Sequence, residues 1–358
     1  MLKSLFSNKS APLLGVDVSS SSVKVVELSR NHSGQLVLER CALEPLEKGW
    51  ILDGNVEKFD EVADAVRRVV RKAGTKTRNA ALALPASSVI TRKIVLPGGL
   101  SESEMEIQVE SEANQYIPFS LDEVSLDFCV IGPCNTSPED VEVLIAASRK
   151  EKVQDRQGLA EAAGLKPVIV DIEAYASRAA AARVIATARA AQRVDSLVAL
   201  FEIGGSSTSM QIISNGDTLY ERDQAYGGAQ LTQMIARHYG FSSDEAELKK
   251  RTAELPEDFQ EAVLRPFVTS MSQEIFRALQ YFFTSTPHNR VDDIFLAGGT
   301  AGIAGLTDAV TDQTTFSCNV INPFAEMAFG SSIHASKINR EAPSYLTATG
   351  LALRRFFQ

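Results

Sequence analysis

Cysteine and histidine are scarce in this 358-residue chain, four of each, and neither set is arranged for metal chemistry. Cys41, Cys129, Cys134 and Cys318 contain no C-x-x-C pair, which excludes a zinc ribbon or a disulfide framework and leaves reduced cysteines as the expectation. His32, His238, His288 and His334 lack the H-E-x-x-H spacing of a zinc protease. Clustered positive charge is missing too. The 36 Lys and Arg stand against 45 Asp and Glu, a net charge of −9, so no nucleic-acid partner is expected. Met1–Pro12 carries Lys3 and Lys9 and only a broken apolar run, too short for a signal-peptide core or a membrane span. A cytoplasmic location is therefore expected, with Leu2, Leu5 and Phe6 in a frayed terminus.

What is present is a grammar used twice. Leu13–Leu28 reads LLGVDVSSSSVKVVEL, an apolar run ending in Asp17 and Val18, four serines, and a returning apolar run. Leu197–Ile213 reads LVALFEIGGSSTSMQII and repeats it at a constant offset, with Glu202 over Asp17 and Gly204, Gly205, Ser206 and Ser207 over Ser19, Ser20, Ser21 and Ser22. Strand, small polar turn and strand are what a phosphate-cradling hairpin needs, because small residues let backbone N–H groups approach phosphate oxygens and hydroxyls add donors. A carboxylate at each strand end supplies a hard oxygen for magnesium, directly or through water. A third stretch, Asp293–Thr300 (DIFLAGGT), runs a buried-looking strand into Gly298 and Gly299, again suiting close backbone approach to a ligand.

Along the chain, Gln35–Ala42 reads as a strand and Phe59–Ala73 as a helix with Phe59, Val62, Val66, Val69 and Val70 on one face and Gly74 as its stop. Ala80–Leu84 is a short strand. Between Pro85 and Lys166 the pattern reads β-α-β-β-α: Ser88–Leu96, a helix Ser101–Tyr116 opened by a Ser101/Glu104 capping box, Val124–Ile131, Val141–Ala147 and a helix Lys150–Ala163. Later helices are expected at Ala174–Arg193, from Tyr226 to Gly240, Ser242–Arg251, Pro256–Thr286, Ile303–Val310 and Tyr345–Phe357, with a strand at Asn319–Ile321. Arg354 and Arg355 read as helix-end cations favourable to the macrodipole.

The ordered triple resembles the actin-like ATPase superfamily, and the segment between Pro85 and Lys166 resembles the small αβ subdomain, called 1C, of its FtsA-like branch. Ile107–Phe119 (IQVESEANQYIPF), the opening LLGVDVSSSSVKVVELS and Val170–Ala176 (VDIEAYA) resemble the PilM family of type IV pilus assembly. The resemblance implies an α/β, bilobed actin-like ATPase fold with the 1C-type subdomain inserted in the first lobe. Residues 1–85, 166–195 and 344–358 would form lobe I, 86–165 the insertion and 196–343 lobe II. It implies ATP or ADP with Mg2+ between the lobes, with Ser19, Ser20, Ser21, Ser22, Val23 and Lys24 around the phosphates from one side and Gly204, Gly205, Ser206, Ser207 and Thr208 from the other. Gly298, Gly299 and Thr300, with Glu247 and Lys250, would lie beside the adenosine; Asp17 and Glu202 would face the metal.

Asp171 and Glu173 are the candidates to orient a water. Hydrolysis is expected to be slow or absent, since the superfamily normally has Asp where this chain has Glu202. The implied partner is the cytoplasmic N-terminal tail of the inner-membrane protein PilN, bringing indirect association with the inner face of that membrane. The edge strand Ser88–Leu96 and the apolar Tyr116, Ile117, Pro118 and Phe119 are the expected docking surface, Ile117 and Phe119 being expected in the insertion's own core. An FtsA-like division filament and a sugar-kinase-type phosphotransferase are the alternatives, and self-association stays open.

Overall fold

The computed structural model describes residues 11–134, 137–188 and 196–357. The expected frayed terminus at 1–10 and the end of the expected helix at 189–193 lie outside them. Strands β1 (Leu14–Val18), β2 (Ser22–Arg30) and β3 (Leu36–Pro45) form an antiparallel run. The ribbon β4 (Ile51–Leu52) and β5 (Asn55–Val56) leads to helix α1 (Phe59–Ala73), and β6 (Asn79–Leu84) returns parallel to β1. Next come β7 (Val89–Pro97), α2 (Glu102–Tyr116), β8 (Val124–Cys134), β9 (Ser137–Arg149) and α3 (Lys150–Ala162), before β10 (Lys166–Ile172) pairs in parallel with β6.

The chain crosses on α4 (Glu173–Ala188) to β11 (Leu197–Ile203), β12 (Thr208–Ser214) and β13 (Asp217–Gln224). Helices α5 (Gly228–Tyr239), α6 (Ser243–Thr252) and α7 (Arg265–Ser285) follow, then β14 (Asp293–Ala297), α8 (Leu306–Thr314) and β15 (Ser317–Val320). Strand β16 (Ala328–Phe329), α9 (Ala335–Glu341) and α10 (Leu346–Leu353) close the chain.

The hairpin repeat read from the sequence extends to whole sheets. The first runs β10-β6-β1-β2-β3-β16 and the second β15-β14-β11-β12-β13, so five strands match in order, with the same two parallel and two antiparallel pairings. Helix α1 shows why the elements form where they do. Val62, Val66, Val69 and Val70 fall on one face and are buried, Asp60 and Glu61 open the helix, Arg71 and Lys72 close it, and Gly74 caps it at φ 65°. Each fully buried valine contributes roughly 1.5–3 kcal/mol relative to exposure. Phe59, expected on that face, is instead 38% exposed, and its ring lies against the position of Gly158 in α3.

Several boundaries differ from expectation. The inserted sheet β7-β9-β8 has its own core of Ile94, Leu96, Met105, Val109, Val143 and Ile145, closed by α2, whose Ser101/Glu104 capping box is formed in full. Helix α3, expected inside the insertion, buries Leu159 and Ala160 in the core of β1, β2 and α1. Residues 150–165 therefore pack with the parent lobe. Likewise β16, expected in lobe II, joins the first sheet beside β3. The helix expected from Pro256 starts at a wide π turn, Gln260–Leu264, before α7. Arg354 and Arg355 make specific bonds rather than only capping a helix: Arg354 pairs with Asp171, and Arg355 donates to the Leu28 carbonyl at 2.9 Å.

A third core lies between the sheets. It joins Val26, Leu28 and Leu38 of the first sheet to Leu200, Phe295 and Ala297 of the second through Ala180 and Ala181 of α4 and Leu346 and Ala348 of α10. The two helices approach so closely that a Cβ on Gly350 would fall 1.8 Å from the Ala176 carbonyl oxygen. Only glycine fits there.

Candidate functional site

The duplicated hairpins present their carboxylates at matching places, one pair short of the hairpin end: Asp17 stands opposite Lys24, and Glu202 opposite Ser209. In the first hairpin Lys24 Nζ donates to Asp17 Oδ2 at 2.8 Å and to Ser19 Oγ at 3.1 Å, with both charged residues buried. Ser19 in turn donates through its N–H and its hydroxyl to the Ser22 carbonyl, at 3.1 and 3.0 Å, which fixes the turn. Val23 is fully buried in the core, so only its backbone can face the loop.

The second loop is tied to its own lobe. The Gly204 and Gly205 carbonyls accept the N–H groups of Gly228 and Ala229 at 2.9 and 2.7 Å, at the start of α5. Thr300 donates through Oγ1 to the Gly204 carbonyl at 3.2 Å, and Thr208 through Oγ1 to the Tyr226 carbonyl at 2.6 Å. Gly298 has φ 89°, and a Cβ there would lie 2.3 Å from the Ile203 carbonyl oxygen, whereas Gly299 faces open space. Close approach of β14 to the hairpin thus explains the first glycine. The two loops meet directly: Ser206 Oγ donates to Ser20 Oγ at 3.0 Å, and a Cβ on Gly205 would lie 3.1 Å from that of Ser21. A group entering between them must part this contact.

Beneath the loops sits a cluster of charge. Glu202 is held by Ser177 of α4, whose hydroxyl donates to Oε2 at 2.7 Å, and by Thr347 of α10, whose hydroxyl donates to Oε1 at 2.9 Å. Burial raises the Glu202 pKa, those two hydrogen bonds oppose the rise, and the charge of Asp17 adds to it. Glu173, the first residue of α4, is pushed up to about 8 by burial and then by Asp17, with Glu202 adding to the repulsion and Arg156 and Lys24 opposing it. Asp171 is committed elsewhere. Its carboxylate pairs with Arg354, whose Nη2 donates to Oδ1 at 2.7 Å, and the Ile172 N–H adds a further bond at 2.8 Å. Of the two carboxylates expected to orient a water, Glu173 is thus the one within the electrostatic reach of Asp17 and Glu202.

Glu247 and Lys250 pair at 2.6 Å, and both bond Thr232 Oγ1 of α5, at 2.6 and 2.7 Å. Burial opposes ionisation of Glu247, but the bonds from Lys250 and Thr232 outweigh it and lower the pKa. Thr232 lies on α5, whose first residues bond the second loop. Sequence reasoning passed over Ser177, Thr347, Thr232 and Arg156. Ser177 lies one helical turn after Glu173, a detectable spacing, whereas the others are joined to the site only by the fold.

A groove of about 450 Å³ opens beside this cluster. Ile90 and Thr91 of β7 form one wall, Ile172 and Tyr175 the floor, and Glu221, Arg222 and Asp223 of β13 the other wall. Both wall strands are edges of their sheets. Arg222 stacks over Tyr281 at 3.9 Å, and its buried Nε has no hydrogen-bond partner among the described residues. On the expected docking surface, Ile117 is buried and Phe119 partly buried in the insertion's core, while Tyr116 is 40% exposed under Arg92 at 3.5 Å.

Comparison with solved structures places this architecture. The chain superimposes on a chain of a PilM–PilN type IV pilus biogenesis complex with a TM-score of 0.77 and 29% identity, covering 97% of this chain and 98% of that one. The ethanolamine utilization protein EutJ from Carboxydothermus hydrogenoformans matches with a TM-score of 0.56 and 17% identity, over 95% of this chain and 88% of its own. The diol dehydratase-reactivating factor, in its nucleotide-free form, matches with a TM-score of 0.54 and 12% identity, over 97% and 100%. The fold is α/β and actin-like. No helix among the described residues is long and apolar enough to cross a membrane. The family of type IV pilus assembly protein PilM matches residues 15–356, and the chain belongs to that family.

Proposed function

We propose that this protein binds ATP or ADP with Mg2+ between its two loops and serves as an actin-like scaffold of type IV pilus assembly that docks the cytoplasmic N-terminal tail of PilN. The observation that carries the reading is the convergence of the duplicated hairpins, which brings Ser20 and Ser206 within 3.0 Å at the mouth of a carboxylate cluster. The residues suit the ligand. Ser19 to Ser22 and Lys24 on one side, and Gly204 to Thr208 on the other, supply small groups, hydroxyls and a cation for phosphates, and Gly298 to Thr300 would lie beside the adenosine. Asp17 and Glu202 offer hard oxygens for magnesium, which beside phosphates needs only one or two carboxylates and water. A bound cation would offset the repulsion from Asp17 and Glu202, which adds to burial in raising the Glu173 pKa to about 8.

Turnover is expected to be slow. Glu202 carries an extra methylene and both its oxygens accept hydroxyls, and misplacement of a catalytic group by about 1 Å can cost on the order of a hundredfold in rate. Calorimetry with Mg·ATP tests the site: Asp17→Ala should weaken magnesium-dependent binding, and equal affinities for wild type and variant would remove Asp17 from it.

The groove between β7 and β13 suits an extended tail, because two strand edges offer backbone pairing and Ile90, Ile172 and Tyr175 offer apolar contact. Docking there would hold the protein at the inner face of the inner membrane through PilN. A synthetic PilN-tail peptide should bind the full chain without nucleotide and lose affinity at least tenfold on Tyr175→Ala with Ile90→Ala; undiminished binding would put the dock elsewhere.

A further inference from the structure

The end of the first sheet that lies away from the phosphate loops carries a charge opposite to that of the chain. Strand β1 runs from Leu14 to the serine loop at Ser19, so residues level with Leu14 mark the far rim of the sheet. Leu14 pairs with Glu27 of β2 and with Ala80 of β6, and Asn79 pairs with Lys166 of β10. Arg30 ends β2 three residues beyond Glu27, and Lys76 and Arg78 lead into β6. Arg30, Lys76, Arg78 and Lys166 are all exposed. In the order β10-β6-β1-β2, with neighbouring strands about 4.8 Å apart, the row spans roughly 15 Å, short enough for one continuous charged surface.

The last turn of the chain joins the same rim. Arg355 Nη1 donates to the Leu28 carbonyl at 2.9 Å, two residues before Arg30. The Phe356 ring has two guanidiniums against it, those of Arg30 and Arg355 at 5.0 and 5.6 Å from its centroid, and Phe357 is 62% exposed. Of the carboxylates nearby, Glu27 accepts the hydroxyls of Thr75 and Thr77 at 2.5 and 2.6 Å. Glu161, five residues before Lys166, and Glu326, whose carbonyl accepts from Gln35 at the start of β3, are exposed. Those two stand against five cations, in a chain whose Asp and Glu outnumber its Lys and Arg by 45 to 36.

We propose that this rim is a docking surface for an anionic lipid bilayer, with Arg30, Lys76, Arg78, Lys166 and Arg355 at the headgroup phosphates and Phe357 at the upper acyl carbons. The pairing of cations with an exposed ring selects this partner, because a bilayer sets headgroup phosphate beside apolar chain, whereas nucleic acid or an acidic peptide would leave Phe357 in water. The serine loop lies at the other end of β1, and the groove follows the other ends of β6 and β10, at Ala86 and Ile172. Both stay open when the rim is covered. Lipid contact of this kind needs neither nucleotide nor tail.

Flotation of the full chain with vesicles tests the surface. Vesicles of phosphatidylcholine mixed with phosphatidylglycerol should carry the protein at low ionic strength and release it in about 1 M salt, where the screening length is about 3 Å. Vesicles of phosphatidylcholine alone should not carry it. Each Lys or Arg beside an anionic leaflet strengthens binding about fivefold, so Lys76→Glu with Lys166→Glu should weaken it at least tenfold. Neither side chain makes a hydrogen bond or ion pair among the described residues, so the fold should hold, and an unchanged melting temperature checks it. Phe357→Ser should weaken binding severalfold with the salt dependence kept. Lys3→Glu with Lys9→Glu makes the same change of charge outside the rim and should cost less. An equal or larger loss in that variant would assign the binding to residues 1–10 and overturn the proposal. Undiminished binding by the rim pair, equal binding to phosphatidylcholine alone, or no binding to either vesicle overturns it too. So does capture of a DNA duplex as tight as that of the anionic vesicles and lost in the same rim pair, which would make the rim a surface for any polyanion.

Discussion

The two hairpins share a register and hide their carboxylates by different means. Asp17 is satisfied from within its own hairpin, by Lys24 seven residues away. Glu202 faces Ser209 across its hairpin and is satisfied from outside, by Ser177 and Thr347, which lie 25 and 145 residues away on the two helices between the sheets. The first half of the site is thus assembled by local sequence, and the second by the packing of α4 on α10. The geometry of Glu202 consequently depends on how the lobes are joined, whereas that of Asp17 does not.

The comparison is broken most severely at its local end. Lys24→Ala leaves Asp17 buried beside Glu173 and Glu202 without its cation, and removal of one partner of a buried pair costs about 3–5 kcal/mol. Urea unfolding should show that loss, and Asp17→Asn combined with Lys24→Ala should recover much of it. A loss below about 1 kcal/mol would mean that water reaches Asp17.

At the other end the helices themselves can be moved. Gly350→Ala would put a methyl 1.8 Å from the Ala176 carbonyl oxygen, so α10 must shift from α4 at a cost of about 1–3 kcal/mol. Thr347 lies one turn earlier on α10, so the same change should loosen Glu202 and weaken Mg·ATP binding while Asp17 keeps Lys24. Melting temperature and calorimetry read the two effects together. Lower stability with unchanged affinity would separate the helix contact from the site.

Glu173 gives the pH dependence. Its folded pKa of about 8 lies above the ordinary 4.5, so the folded state holds a proton that the unfolded chain has released. The resulting stabilisation is complete below about pH 4.5 and is lost as pH rises towards 8, with a slope of at most about 1.4 kcal/mol per pH unit. Glu173→Gln, which mimics the protonated form, should flatten stability between pH 5.5 and 7.5. Parallel curves for the two proteins would assign that proton elsewhere.

Much of this was legible in the sequence because it is local. The repeated hairpins, the stop of α1 at Gly74 and the capping box of α2 each lie within a few residues, where spacing reports geometry. Helix α3 was readable as a helix, but the packing of Leu159 and Ala160 on α1 rather than on the inserted sheet was not, since an apolar stripe does not name its partner. Asp171 read as a water-orienting acid because its cation, Arg354, lies 183 residues away. Ser177 and Thr347 carried no motif; their role exists only where α4 crosses α10.

The smallest expected effects sharpen the comparison most. Ser177→Ala and Thr347→Val each remove one hydroxyl from Glu202, and a hydrogen bond to a charged group contributes about 1.5–3 kcal/mol when that group is fully ionised. Glu202 keeps its other hydroxyl in each single variant, so each loss should be nearer the roughly 1 kcal/mol of an ordinary hydrogen bond. The two hydroxyls also touch, at 3.0 Å, so the losses should not add. A double-mutant cycle read by urea unfolding should give a coupling of about 0.5 kcal/mol or more, and the same cycle on Mg·ATP affinity should show coupling too if Glu202 faces the metal. Strict additivity in both would mean that α4 and α10 hold Glu202 independently, and the second hairpin would then resemble the first more than the packing suggests.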